Sequence, residues 1–148
     1  MNKDQSIHIL LVEDNEGDIV LIKEALQESN LKNTISEARD GEEALNYLLG
    51  KDKYQDVIKP DMIILDLNLP KVDGIEVLTI LKADPIFRLI PIVILTTSSR
   101  EMDVVNAYSN YANCYITKPV DFNKFMEVIL TIEEFWVSIV KLPSVLDN

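Results

Sequence analysis

The 148-residue chain has the length of one domain, with room for a proper core. Its 47% hydrophobic and 26% charged residues, with sparse Gly and Pro, describe a globular protein rather than a disordered one, and no apolar run nears the roughly 20 residues of a membrane span. The 14 basic against 25 acidic residues leave a net charge of -11, which disfavours DNA as a partner and suits a bound cation or a basic protein patch.

The opening "MNKDQS" lacks the hydrophobic segment of a secretion signal, so a cytoplasmic protein is expected. "IHILLV" (Ile7 to Val12) then reads as a short buried strand that runs into the polar loop "EDNEGD". Ile19, Val20, Ile22 and Leu26 recur at helical spacing up to Asn30. Asn33 to Arg39 is a weaker strand, and "DGEEALNYLL" a short helix with Asp40 at its N-cap. A polar loop spans Gly50 to Pro60. "DMIILD" is the third strand, and "GIEVLTILKAD" a helix ended by Pro85. The fourth strand runs from Ile90 to Thr96, followed by the helix "SREMDVVNAYSNY". "CYIT" is a brief fifth strand, and "DFNKFMEVILTIEEFWVSIV" a long last helix. The single cysteine, Cys114, excludes an internal disulfide and a Cys-based metal cluster.

Strands thus alternate with helices, and strands one, three and four are almost wholly apolar. That pattern predicts an α/β fold: a parallel sheet covered by helices on both faces. Ligands of such sheets sit beyond the carboxyl ends of the strands. Those ends carry Glu13 and Asp14, then Asp66 and Asn68, then Thr96 and Thr97, and finally Lys118 before Pro119. Each alone reads as a cap, a turn residue or a solvated lysine. Together, four strand ends deliver three carboxylates, a hydroxyl and an ammonium to one edge.

Glu13, Asp14 and Asp66 would repel one another if ionised side by side, and a hard divalent cation removes the conflict. Mg²⁺ fits oxygen ligands with few protein donors, whereas zinc lacks His and Cys ligands here, His8 lying within the first strand. A carboxylate can also attack phosphorus to form an aspartyl phosphate. Lys118 and the cation would neutralise the phosphoryl oxygens, and Thr96 would donate to one of them.

"LLVEDN", "ILDLNLPKVDG", "ILTTSS" and "YITKPV", in this order, resemble the receiver domain of two-component response regulators from about Ile7 to about Glu134. The resemblance implies a flavodoxin-like sheet of five parallel strands in the order 2-1-3-4-5 and one receiver domain over residues 1–148. It implies Asp66 as phosphoacceptor and Asp14 as a direct Mg²⁺ ligand. Glu13 would act through water, and Asn68 through its backbone carbonyl. Thr96 would be the switch hydroxyl, Lys118 the phosphate-pairing lysine, and Tyr115 the aromatic that changes rotamer. Lys118–Pro119 corresponds to a bond usually cis in that family. "LNLPKVDG", "LTTSS", "NCYITKPVDF" and "FWVSIVKLP" are similar to the single-domain phytochrome-type response regulators of cyanobacteria. Those share an insertion like the Gly50–Pro60 loop. The implied partner is a sensor histidine kinase, with a phytochrome-like kinase making light the input. The implied role is a phosphorylation switch without an output domain, not an enzyme beyond slow self-dephosphorylation. Thr97, where many receivers carry Ala or Gly, is expected to narrow access to the phosphate, and Asn68 and Ser98 to govern access of water.

The last helix has more hydrophobes than one stripe holds. Phe122, Phe125, Met126, Ile129, Ile132 and Trp136 fill a stripe, which leaves Val128, Phe135, Ile139, Val140 and Leu142. Either the helix bends and the tail packs back, or this face is an interface. With the related regulators in view, a homodimer built partly on Phe135, Trp136, Ile139 and Leu142 is expected. Two rival classes stay open. A Mg²⁺-dependent phosphatase with an aspartyl nucleophile needs a second Asp where Asn68 stands. A flavodoxin-like flavin carrier needs a phosphate loop where "EDNEGD" would repel phosphate.

Overall fold

Six consecutive apolar or weakly polar residues need cover on both sides, and the fold supplies it. A computed structural model describes residues 7–27 and 33–135. In it β1 (Ile7–Val12) lies inside a parallel sheet with β2 (Asn33–Ala38), β3 (Met62–Leu65), β4 (Ile92–Thr96) and β5 (Cys114–Thr117), in the order β2-β1-β3-β4-β5. Every residue of β1, β3 and β4 is buried. The helices are α1 (Glu16–Gln27), α2 (Gly41–Leu49), α3 (Gly74–Ala83), α4 (Glu101–Ser109) and α5 (Phe122–Glu133).

The two-residue period of the strands divides the core in two. Ile9, Leu11, Ile64, Val93 and Leu95 pack against Ile19, Ile22 and Leu26 of α1 and Phe125, Ile129 and Ile132 of α5. Leu10, Val12, Ile63, Leu65, Ile92 and Ile94 face Leu48 of α2, Val77, Leu78 and Leu81 of α3, and Ala107 of α4. Each large side chain so buried contributes about 1.5–3 kcal/mol, so both layers resist rearrangement and the strand ends form a fixed frame.

The expected elements are present, with shifts at their ends. β4 begins at Ile92, not Ile90, because Pro91 offers no N–H to the ladder. A short 3-10 helix, Phe87–Leu89, precedes it. Asp61 and Asp66 flank β3 rather than belong to it. Val20 and Phe122, assigned above to apolar stripes, are exposed. Val20 sits about 100° around the helix from Ile19, and Phe122 is the first residue of α5. The Lys118–Pro119 bond is trans, the ordinarily favoured isomer, and no described peptide bond is cis. Of the interface residues expected on the last helix, Phe135 is half exposed, while Trp136, Ile139 and Leu142 lie outside the described residues.

The Gly50–Pro60 loop is pinned rather than loose. Gly50, with φ 67°, closes α2 in the left-handed conformation. Tyr54 donates its hydroxyl to Glu43 (3.1 Å), and its ring lies 5.4 Å from that of Tyr47. The Tyr47 hydroxyl reaches the Ile58 carbonyl at 2.9 Å. Buried His8, with Nε2 2.7 Å from Ser36 Oγ, adjoins that cluster, and burial pushes its pKa down.

Between β3 and α3 the chain doubles back tightly. Asp73 caps α3 by accepting from the Glu76 N–H at 3.0 Å, and the Gly74 N–H donates to the Leu67 carbonyl at 2.9 Å. A β-carbon on Gly74 would lie 2.4 Å from the Asp66 carbonyl oxygen and 2.5 Å from Leu67 Cα. Gly74→Ala is therefore expected to destabilise the fold by about 2 kcal/mol, measured by urea denaturation, and to disturb Asp66 before any other strand-end residue.

Candidate functional site

Register places the polar residues together. Val12 pairs with Leu65, Leu65 with Ile94, and Thr96 with Thr117, so Glu13, Asp66, Thr96 and Lys118 leave neighbouring strands at one edge. Backbone bonds fix their starting points. The Asp66 N–H donates to Val12 (3.0 Å), the Glu13 N–H to Ala38 (3.0 Å), and the Lys118 N–H to Thr96 (2.7 Å). Glu13, Asp66, Thr96 and Lys118 are all buried, whereas Asp14, Asn68 and Thr97 are exposed.

The Lys118 ammonium is the hub. It pairs with Glu13, with Asp66 at 2.9 Å and with Asp18 at 2.8 Å. Asp18 lies on the first turn of α1, not in the polar loop that the sequence predicts there. Its place in that turn carries no signal that sets it apart from an ordinary helix-start carboxylate. Asp66 Oδ1 accepts from the Asn68 N–H at 3.0 Å. The Thr96 hydroxyl faces Asp66 and receives long bonds, 3.4 Å each, from Asn68 Nδ2 and the Ser98 N–H. Tyr115 is half-buried, donates its hydroxyl to the Ser98 carbonyl (2.9 Å), and its N–H is capped by the Tyr108 hydroxyl (3.1 Å). Thr97 lines an adjoining cavity of about 190 Å³ with Asp18, Lys118 and Phe122.

The buried carboxylates are not equivalent. Burial pushes Glu13 up to about 7, reinforced by the charge of Asp66 and only partly offset by Lys118. Burial also pushes Asp66 upward, but the Asn68 N–H and the Lys118 ammonium outweigh it and hold Asp66 below the ordinary carboxylate value. Burial works against the charged Lys118, yet the carboxylates of Asp18, Glu13 and Asp66 raise its pKa overall. At neutral pH Asp66 is ionised and Lys118 charged.

Oxygens of Glu13, Asp14 and Asp66 lie within 4.8 Å of one another. Two of these groups are buried, with one ammonium between them, so a divalent cation is the natural complement of the set. The donors are all oxygen, as a hard cation requires. No His or Cys joins them among the described residues.

Residues 9–130 match the family described as response regulator receiver domain. The chain belongs to that family. Response regulator Rcp1 of Synechocystis sp. is 41% identical over 92% of this chain and 92% of its own length. The phosphorylated cyanobacterial phytochrome response regulator RcpA superposes with a TM-score of 0.92 at 46% identity, covering 95% of this chain and 100% of that one. The Mn(2+)-bound form of Rcp1 gives 0.91 at 40% identity, covering 93% and 99%. This protein is thus a receiver-domain response regulator similar to Rcp1 and RcpA. Neither an aspartyl phosphatase nor a flavin carrier is the family found.

Proposed function

We propose that this receiver accepts a phosphoryl group on Asp66 from the phosphohistidine of a sensor histidine kinase in the cytoplasm, and then switches a protein-interaction surface. The observation that carries the reading is the setting of Asp66: buried, held by the Asn68 N–H and the Lys118 ammonium, with its pKa lowered overall by those donors, beside the Thr96 hydroxyl. One Asp66 oxygen forms the new O–P bond while the donor's N–P bond breaks. The electron pair returns to the imidazole nitrogen, which takes a proton from solvent. Bound at Glu13, Asp14, Asp66 and the Asn68 carbonyl, Mg²⁺ would supply neutralisation of the phosphoryl charge. Lys118 pairs with one phosphoryl oxygen, and the Thr96 hydroxyl turns to another. Tyr115 then follows the space Thr96 leaves and passes the change to the α4–β5 surface. Asn68, where a phosphatase needs an acid, leaves hydrolysis slow. Borohydride reduction of the phosphorylated protein tests the site, since aspartyl phosphate becomes homoserine. Peptide mass spectrometry should find it at residue 66, and homoserine elsewhere would sink the assignment.

The relatives named above support a phytochrome-like kinase, and hence light as the input. Residues 1–148 act in this reading as one receiver domain.

A second consequence concerns Mg²⁺ and pH. Cation binding requires Glu13 ionised, and its pKa near 7 means that a proton is displaced on binding. Affinity should rise as pH climbs through about 7 and flatten above it. Isothermal titration in buffers of different ionisation enthalpy reads both affinity and proton release. Flat affinity from pH 6 to 8 would contradict this account of Glu13.

A homodimer through α5 and the edge strand β5 completes the proposal. A groove of about 570 Å³ there, lined by Cys114, Ile116, Val128, Ile132 and Phe135, supports it. The expected interface residues are Phe135, Trp136, Ile139 and Leu142. Trp136→Glu should shift sedimentation from dimer to monomer, and an unaltered dimer refutes the interface.

A further inference from the structure

Lys118 has three acidic partners, and one of them stands outside the cation-holding set. Glu13 and Asp66 belong to the cluster whose oxygens converge within 4.8 Å; Asp18 does not. Asp18 reaches the ammonium from the α1 side at 2.8 Å. Its own position is set by the Asn15 side chain, which accepts from the Asp18 N–H at 2.9 Å. The Lys118 side chain is 3% exposed and that of Asp18 is 23% exposed, so Asp18 closes the solvent side of the lysine pocket. A buried ammonium needs acceptors at all times. Once a divalent cation draws on the oxygens of Glu13 and Asp66, Asp18 is the one contacting carboxylate that Lys118 does not share with it. Without Asp18, the ammonium is left with Glu13 and Asp66, which it already contacts, and it competes with the cation for them.

We propose that Asp18 is a positioning residue for phosphoryl transfer: it holds the Lys118 ammonium beside Asp66 while the cation is bound and yields it to the incoming phosphoryl oxygens. This rests on Asp66 being the phosphoacceptor. The role is orientation of a charge in a dry site, and its loss lowers the rate of the chemical step rather than donor binding.

The test uses the full chain with Mg²⁺ and acetyl phosphate, comparing wild type, Asp18→Asn and Asp18→Glu. Acetyl phosphate gives its phosphoryl group to Asp66 with acetate as the leaving group. Asp18→Asn should lower the saturated rate about tenfold while donor half-saturation stays within about twofold, the split expected for a positioning group. Asp18→Glu, which keeps the charge, should recover most of the rate. Nitrogen-15 NMR of the Lys118 ammonium gives a second readout, independent of turnover. Its signal in Mg²⁺ should persist in wild type and vanish by solvent exchange in Asp18→Asn. Should Asp18→Asn fail to fold, Asp18→Ser replaces it. An unchanged saturated rate overturns the proposal, as does a lowered rate with the ammonium signal intact. If wild type itself takes no label, the phosphoacceptor reading fails and this proposal with it; wild-type labelling with an unaffected Asp18→Asn overturns this proposal alone.

Discussion

Asp66→Asn is expected to cut phosphoryl labelling by more than about a hundredfold, because an amide is a poor nucleophile toward phosphorus. The same change should leave the fold intact. Asp66 accepts on one oxygen from Asn68 and on the other from Lys118, and an asparagine has one oxygen for these two donors. One charge-assisted hydrogen bond is lost, at a cost of about 1.5–3 kcal/mol. Against that, Lys118 keeps Glu13 and Asp18, and the charge of Asp66 no longer opposes ionisation of Glu13. The second term offsets part of the first, so the melting temperature should fall by only a few degrees. Phosphotransfer from acetyl phosphate or a kinase, run beside a thermal melt, reads both. Label retained at the wild-type level would overturn the assignment, and a collapsed melt would make the loss uninformative.

Removing the lysine should do the opposite. Lys118→Met leaves Glu13 and Asp66 buried with no cation between them, and a buried ion cluster stripped of its counter-charge is destabilised by about 3 kcal/mol. The loss should be largest at pH 8 in chelator. Glu13 already has its folded pKa raised, so its proton stabilises the fold at low pH and that stability fades as pH rises through about 7. Without Lys118 the pKa of Glu13 goes higher still, and acidification toward pH 6 should restore part of the loss. Millimolar Mg²⁺ should restore part as well, by binding the folded state alone. Urea denaturation at both pH values, with and without Mg²⁺, gives the comparison. A Lys118→Met protein as stable as wild type in chelator at pH 8 would mean that the carboxylates do not share the lysine as described.

Much of this arrangement was legible in the residues. Apolar runs such as "MIIL" and "IVILT" are short, bounded by polar residues and rich in β-branched side chains, which marks them as strands covered on both faces, so the sheet and its polar edge follow from burial. Asp40 as the cap of α2 follows from its place before the helix. Asp18 was not legible, because a carboxylate in a helix's first turn is ordinary, and only the direction in which α1 leaves β1 aims it at Lys118. The exposure of Val20 and Phe122 depends on helix phase and on where α5 begins, which spacing fixes only to within a residue or two. Tyr108 covering the Tyr115 N–H joins α4 to the strand that follows it, and hydrophobic periodicity carries no trace of that contact.

In the proposed switch, Thr96 would give the site its responsiveness. Its backbone is locked in β4 and bonded to the Lys118 N–H, while its hydroxyl receives two contacts of 3.4 Å at the outer limit of hydrogen bonding. Turning that oxygen forfeits these weak contacts and its approach to Asp66. A charged phosphoryl acceptor is worth about 1.5–3 kcal/mol to a hydroxyl, enough for a population change of roughly tenfold or more. A switch of that kind would behave as a graded dial set by rotamer occupancy, and its output should scale with the fraction of chains carrying phosphate at any instant.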